Sequence, residues 1–233
     1  MRMRLPIEVQ IMALCFVVSC IATSCDSGDP SGKVSEELPH KLTSEQAGAL
    51  ILANKNLSTS SEMASHLIDI TPSDIWEQTG HQLFKNIEAT SSWDTFAVSD
   101  GSAVQIGMGF GGFGVTSAVP YDVNKDGTVD IVYAYSFGSG LHRSVIAWLD
   151  LQNSTEHIIS SKPAQTDFRQ YDLILKTEDK QIGVYRIKNT GTSKTSLDVL
   201  RTYPSKTDIE NMTLVKEGEL VWENGEFFNI PVD

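Results

Sequence analysis

The segment Asp122-Val-Asn124-Lys-Asp126-Gly127-Thr128-Val-Asp130 places side-chain oxygens at positions 1, 3, 5 and 9, with glycine at 6. That spacing curls a chain around a hard cation. Glycine permits the sharp turn, and the carbonyl of position 7, Thr128, adds another oxygen. Three carboxylates and one amide suit Ca2+ better than a soft metal or one that prefers imidazole. The same residues also make a polar Asp/Asn/Gly turn with no metal. An EF-hand would carry a bidentate glutamate at position 12 and continue as a helix. Here Tyr133 stands at that position, and Val-Asp-Ile-Val-Tyr-Ala-Tyr is β-branched and aromatic. The loop is therefore expected between two strands.

A second polar cluster is Ser139-Gly-Leu-His142-Arg143-Ser144, in a glycine-rich connection after the strand that follows the acidic loop. Serine, histidine and arginine together could hold a carboxylate or phosphate, or form part of a hydrolytic site. Phe137 stands where a G-x-S-x-G nucleophile elbow needs glycine, and no acid is evident as a third member. A hairpin loop with satisfied polar groups is the plainer reading. Gly107-Met-Gly109-Phe-Gly-Gly112 matches G-x-G-x-x-G, but Phe-Gly-Val-Thr-Ser-Ala-Val-Pro follows it, which is strand-like. A dinucleotide fingerprint must open a helix, so these glycines instead suggest a bulge, a tight turn or close backbone approach. His40, His66, His81 and His157 show no zinc-ligand spacing. Trp76, Trp93, Trp148 and Trp222 are most simply core or partly buried residues.

At the N-terminus Arg2 and Arg4 precede an apolar run from Ile11 to Ala22. A spanning helix needs about 20 such residues, so the run suits a signal peptide. Ala22-Thr23-Ser24-Cys25 looks like a bacterial lipobox, whose cysteine thiol receives a diacylglycerol. Ordinary signal peptidase could cut the same bond and leave Cys25 as a free thiol, and Cys20 heads a second, less suitable box. The expected localisation is export with lipid anchoring to a bacterial membrane, facing the periplasm or exterior. Cys15, Cys20 and Cys25 are the only cysteines. Past residue 25 the chain therefore has no disulfide, no cysteine metal site and no cysteine nucleophile.

These groups need a scaffold, and composition allows one. The 233 residues are 40% hydrophobic and 21% charged, a globular balance. A net charge of −12 argues against nucleic acid or an anionic lipid surface as a direct partner. Residues 1–24 read as the signal peptide and 25–41 as a flexible linker. Residues 42–80 read as a small helical cap: a helix capped by Thr43 and Gln46, one from Ser61 carrying Met63, Leu67 and Ile70, and a short one after Thr71-Pro72. Residues 81–233 read as a β domain. Strands are expected at 81–87, 95–99, 103–110, 115–119, 129–137, 144–151, 156–160, 173–177, 181–188, 196–203, 212–216, 219–223 and 227–230, with hairpin turns at Glu178-Asp179-Lys180 and Asn224-Gly225. Short connections leave no room for helical crossovers, so the sheet should be largely antiparallel. The fold class is mainly β (α+β).

The stretch Phe113-Gly114-Val-Thr-Ser-Ala-Val-Pro-Tyr-Asp-Val-Asn-Lys-Asp-Gly-Thr-Val-Asp-Ile-Val132 resembles a single FG-GAP repeat of the integrin α type. That resemblance implies Asp122, Asn124, Asp126, Asp130 and the Thr128 carbonyl as Ca2+ ligands. It departs from the family at Tyr133-Ala134-Tyr135, where Gly-Ala-Pro is usual, and no second copy is found. Too few β residues remain for a seven-bladed propeller. The wider stretch 107–144 is similar to a group of bacterial lipoproteins of unknown function, which implies no activity. The expected protein is a lipid-anchored, calcium-stabilised envelope protein, non-enzymatic, that binds or scaffolds a protein or glycan. The alternative is a periplasmic hydrolase using the 139–144 loop.

Overall fold

Strand β6 (Asp130–Phe137) explains the architecture, because its alternation is apolar on both sides. Ile131, Tyr133 and Tyr135 enter one buried cluster, while Val132 and Ala134 enter another. A strand with two buried faces must lie inside a stack of sheets. The computed structural model describes residues 40–57, 59–88, 93–138, 143–161, 171–188 and 199–232. The signal segment, Cys25, Ser139 and His142 lie outside the described residues. Those described belong to one unit, Leu38–Asp233.

The protein is mainly β, built from three sheets. The first is an antiparallel meander of β1 (Leu67–Asp69), β2 (Gln82–Asn86), β3 (Thr95–Ser99) and β4 (Ser102–Ile106). The second orders β5 (Gly114–Tyr121), β6, β7 (Arg143–Asp150) and β8 (Thr155–Ile158) in the same way. The third orders β10 (Leu173–Glu178), β11 (Gln181–Ile187), β12 (Leu214–Glu223) and β13 (Glu226–Pro231) antiparallel. The short β9 (Ser160–Ser161) joins β13 in parallel at its outer edge.

The second sheet is the middle layer. Its Tyr133, Tyr135, Ala147 and Leu149 pack with Leu83, Ala97 and Ile106 of the first sheet. Its Val119, Val132, Ile146 and Trp148 pack with Leu175, Ile182, Val184, Leu220 and Phe227 of the third. On the far side of the first sheet, Ala47 and Ile51 of α1 (Ser44–Ala53) cover Phe84, Phe96 and Val98. Thr43 caps that helix through a capping box with Gln46, as its spacing suggested. A bulge in β5 lets Val115 and Ala118, three residues apart, face the same cluster. The buried Thr116 hydroxyl donates to the Leu173 carbonyl at 3.0 Å, tying the second sheet to the third.

Lys85 of β2 is fully buried between the first two sheets. Its Nζ donates to the carbonyls of Val115 (3.1 Å) and Leu200 (2.9 Å) and lies 5.9 Å from the Trp93 ring centroid. Burial pushes its amine down to about 7, with the charge of Asp172 opposing.

Three expectations are corrected. The helix α2 (Ser61–Ala64) stops short, and Leu67 enters a strand paired with Asn86. Leu67 and Ile70 match a helical period, but the two sit in different clusters on opposite sides of the first sheet. Within the expected strand 196–203, residues 199–202 form a helical turn. That turn buries Leu200 against Ile174 and Ile187 and aims its carbonyl at Lys85. The strands expected at 212–216 and 219–223 are one strand, because the bulge around Glu217 absorbs the irregularity.

Candidate functional site

The acidic segment 122–130 joins β5, an edge strand of the middle sheet, to the central β6. Lys125 (φ 60°) and Gly127 (φ 90°) take the left-handed conformation that reverses the chain. The side chains fold inward onto their own loop. Asp122 Oδ2 accepts from the Gly127 amide at 3.1 Å, Asn124 Oδ1 from the Asp126 amide at 3.0 Å, and Asp126 Oδ1 from the Thr128 amide at 2.7 Å. Asn124 Nδ2 also donates to Asp126 Oδ2 at 2.8 Å. The Thr128 amide, then the Asn124 side chain, holds the Asp126 carboxyl below its usual range.

Asp130 plays a different part. It is almost wholly buried, and its carboxylate accepts from the amides of Val123 (3.4 Å) and Leu151 (3.2 Å). Burial pushes it up to about 6, and the nearby charges of Asp150 and Asp126 add to the rise. Asp150 is itself buried, its Oδ1 bound by the Gln152 and Asn153 amides.

The donors fit a hard cation in kind, since every one is oxygen. Asp122 supplies the specific sign: its Oδ1 is buried and has no hydrogen-bond partner among the described residues. A carboxylate oxygen left so is costly unless something satisfies it. The arrangement is less complete. Asp130 faces backbone amides, and among the described residues no three acidic, histidine or cysteine side chains stand grouped as metal holders. Asp122, Asn124, Asp126 and the Thr128 carbonyl would hold the ion, with Asp130 behind them.

The glycine-rich stretch after β4 opens no helix. A Cβ on Gly109 would meet the Trp93 backbone at 2.4 Å, and one on Gly112 the Ser136 carbonyl oxygen at 2.3 Å. Close backbone approach is the reason for those glycines. Of the polar 139–144 cluster, Arg143 begins β7 and is exposed. Ser144 is buried and donates its hydroxyl to the Tyr171 carbonyl at 2.5 Å. The tryptophans do not share one surface. Trp148 is buried and stacks on His157 at 4.5 Å, Trp222 packs against the same core cluster, and Trp76 lies beneath Lys41 at 5.4 Å.

Sequence reasoning missed a cleft of about 730 Å³ at the free edges of β5 and β10. The chain between β1 and α3 (Ser73–Thr79) and the helix Lys206–Asn211 complete its wall. Its lining comes from segments more than a hundred residues apart, and no local motif marks it. Among the described residues no helix is long and apolar enough to cross a membrane. No family model, no curated protein and no solved structure matches this chain.

Proposed function

We propose that this chain is an exported, lipid-anchored envelope protein that binds Ca2+ in the 122–130 loop and acts as a non-enzymatic binding or scaffolding module. The buried, unpartnered Asp122 Oδ1 carries the metal reading. The FG-GAP-like order of strand, acidic loop and strand supports it. In this reading α1 to α3 cap the β body, Cys25 holds the lipid, and the linker to residue 41 spaces the body from the membrane.

Calorimetric titration of the full chain in detergent with Ca2+, and melting with Ca2+ or EGTA, test the metal. Heat on titration, a higher Tm with Ca2+, and loss of both in Asp122→Ala are expected. No heat together with no shift in Tm would overturn the metal reading. Radioactive palmitate should label the wild type and not Cys25→Ala. Equal labelling of the two would refute the anchor.

A further inference from the structure

The cleft beside β5 and β10 is bounded by strand edges, and the registers fix which backbone groups face it. Glu178 pairs with Gln181 around the two-residue turn Asp179-Lys180, whose φ values are 45° and 69°. In such a hairpin alternate residues turn away from the partner strand, here Thr177 and Leu175. The Leu175 amide and carbonyl both meet Ser117 Oγ, at 2.9 and 3.3 Å. Thr177, two residues on, has the same orientation, and among the described residues nothing meets its N–H or C=O. Across the cleft the Ala118 amide turns from β6 and donates to the Tyr203 hydroxyl at 2.9 Å. Its carbonyl shares that direction. Tyr203, having accepted, keeps its own proton to donate, and burial pushes its phenol well above the ordinary range.

The side chains around these groups narrow the ligand. Ile70, Val119 and Ile209 give apolar wall, while Asp74, Glu210 and Lys206 supply the charges. Lys176 lines the cleft too, but its ammonium lies over the Tyr185 ring at 5.3 Å, on the outer face of the third sheet. The charge balance therefore disfavours an anion. No tryptophan lines the cleft to serve as a sugar platform. What is offered is one backbone donor, two backbone acceptors and a phenolic donor, the alternating complement of another extended backbone.

We propose that this cleft binds a short, extended, neutral-to-basic peptide segment of a partner protein by strand pairing. The segment exchanges two hydrogen bonds with Thr177, gives an amide to the Ala118 carbonyl, and receives the Tyr203 hydroxyl on a carbonyl. The volume lies within the usual range for ligand sites, about 300–1,000 Å³. The proposal rests on the reading as a binding module and not on the calcium loop.

The test uses the full chain in detergent and an array of capped pentapeptides that includes lysine- and arginine-bearing members. Bound members are then measured by fluorescence anisotropy. Thr177→Pro removes the edge N–H without touching the β10–β11 ladder, and Thr177→Ala keeps it. Binding should fall about tenfold in Thr177→Pro, the scale of one hydrogen bond, and stay unchanged in Thr177→Ala. N-methylation of the peptide residue facing Thr177 should produce the same loss with no change to the protein, which guards against misfolding of the proline variant. Absence of binding across the array, binding indifferent to N-methylation, or selective binding of a trisaccharide panel instead would each overturn it. Loss of the calcium heat with peptide binding intact would sink the metal reading alone.

Discussion

The buried amine of Lys85 should make stability depend on pH in a direction opposite to that of a salt-bridged lysine. Its value falls from the ordinary 10.5 to about 7 because burial disfavours the charged form. The unfolded chain therefore holds this proton up to pH 10.5, whereas the folded chain releases it near 7. Between those values the unfolded state binds more protons, so this group lowers stability most below pH 7 and progressively less as pH rises to 10.5. The full difference corresponds to roughly 4–5 kcal/mol, and the part recovered between pH 6 and pH 9 to roughly 3 kcal/mol. Lys85→Met keeps much of the volume and removes the titration. It also leaves the Val115 and Leu200 carbonyls without their donor, a cost of about 1–3 kcal/mol each that does not vary with pH. Urea unfolding of both proteins from pH 6 to 9 separates the two effects, since all other groups titrate alike in each. The wild type should gain on the variant as pH rises. A constant gap across that range would refute the reasoning.

Three further substitutions probe the framework. Gly114 has φ 62°, and a Cβ there would sit 2.0 Å from the Trp93 carbonyl oxygen, so Gly114→Ala should cost roughly 3 kcal/mol or more by urea denaturation. Ser117→Ala removes the one hydroxyl serving both the amide and the carbonyl of Leu175; a loss of about 2 kcal/mol is expected in the same assay. Asn229 is fully buried with neither amide atom partnered among the described residues, so Asn229→Leu should be neutral or raise Tm. A fall of several degrees in that variant would show that its amide is satisfied in solution.

What the sequence conveyed depended on how local each feature is. The strand after the acidic loop was legible because Ile131, Tyr133 and Tyr135 alternate with period two. That Val132 and Ala134 are also buried was not, since alternation marks one apolar face and says nothing of a third layer. The turns at Asp179-Lys180 and Asn224-Gly225 were readable because Asp179, Asn224 and Gly225 tolerate positive φ. Leu200 was misread because its helical turn is set by distant contacts, with Lys85 and with the third sheet. The acidic loop could be found because its oxygens lie within nine residues of chain. The cleft could not, because Thr177, Ala118 and Tyr203 meet only through the packing of two sheet edges.

The parallel pairing of β9 with β13 has a kinetic meaning. Each four-stranded meander comes from one continuous stretch of chain, so most of its contacts are short in sequence and can form early. The exception is Ser160 and Ser161 beside Phe228 and Asn229, which joins the end of the second sheet to the last strand of the third. That latch closes a loop of more than sixty residues and cannot engage until the C-terminal strand has been made. Removal of the C-terminal strand would release it together with the β12–β13 ladder.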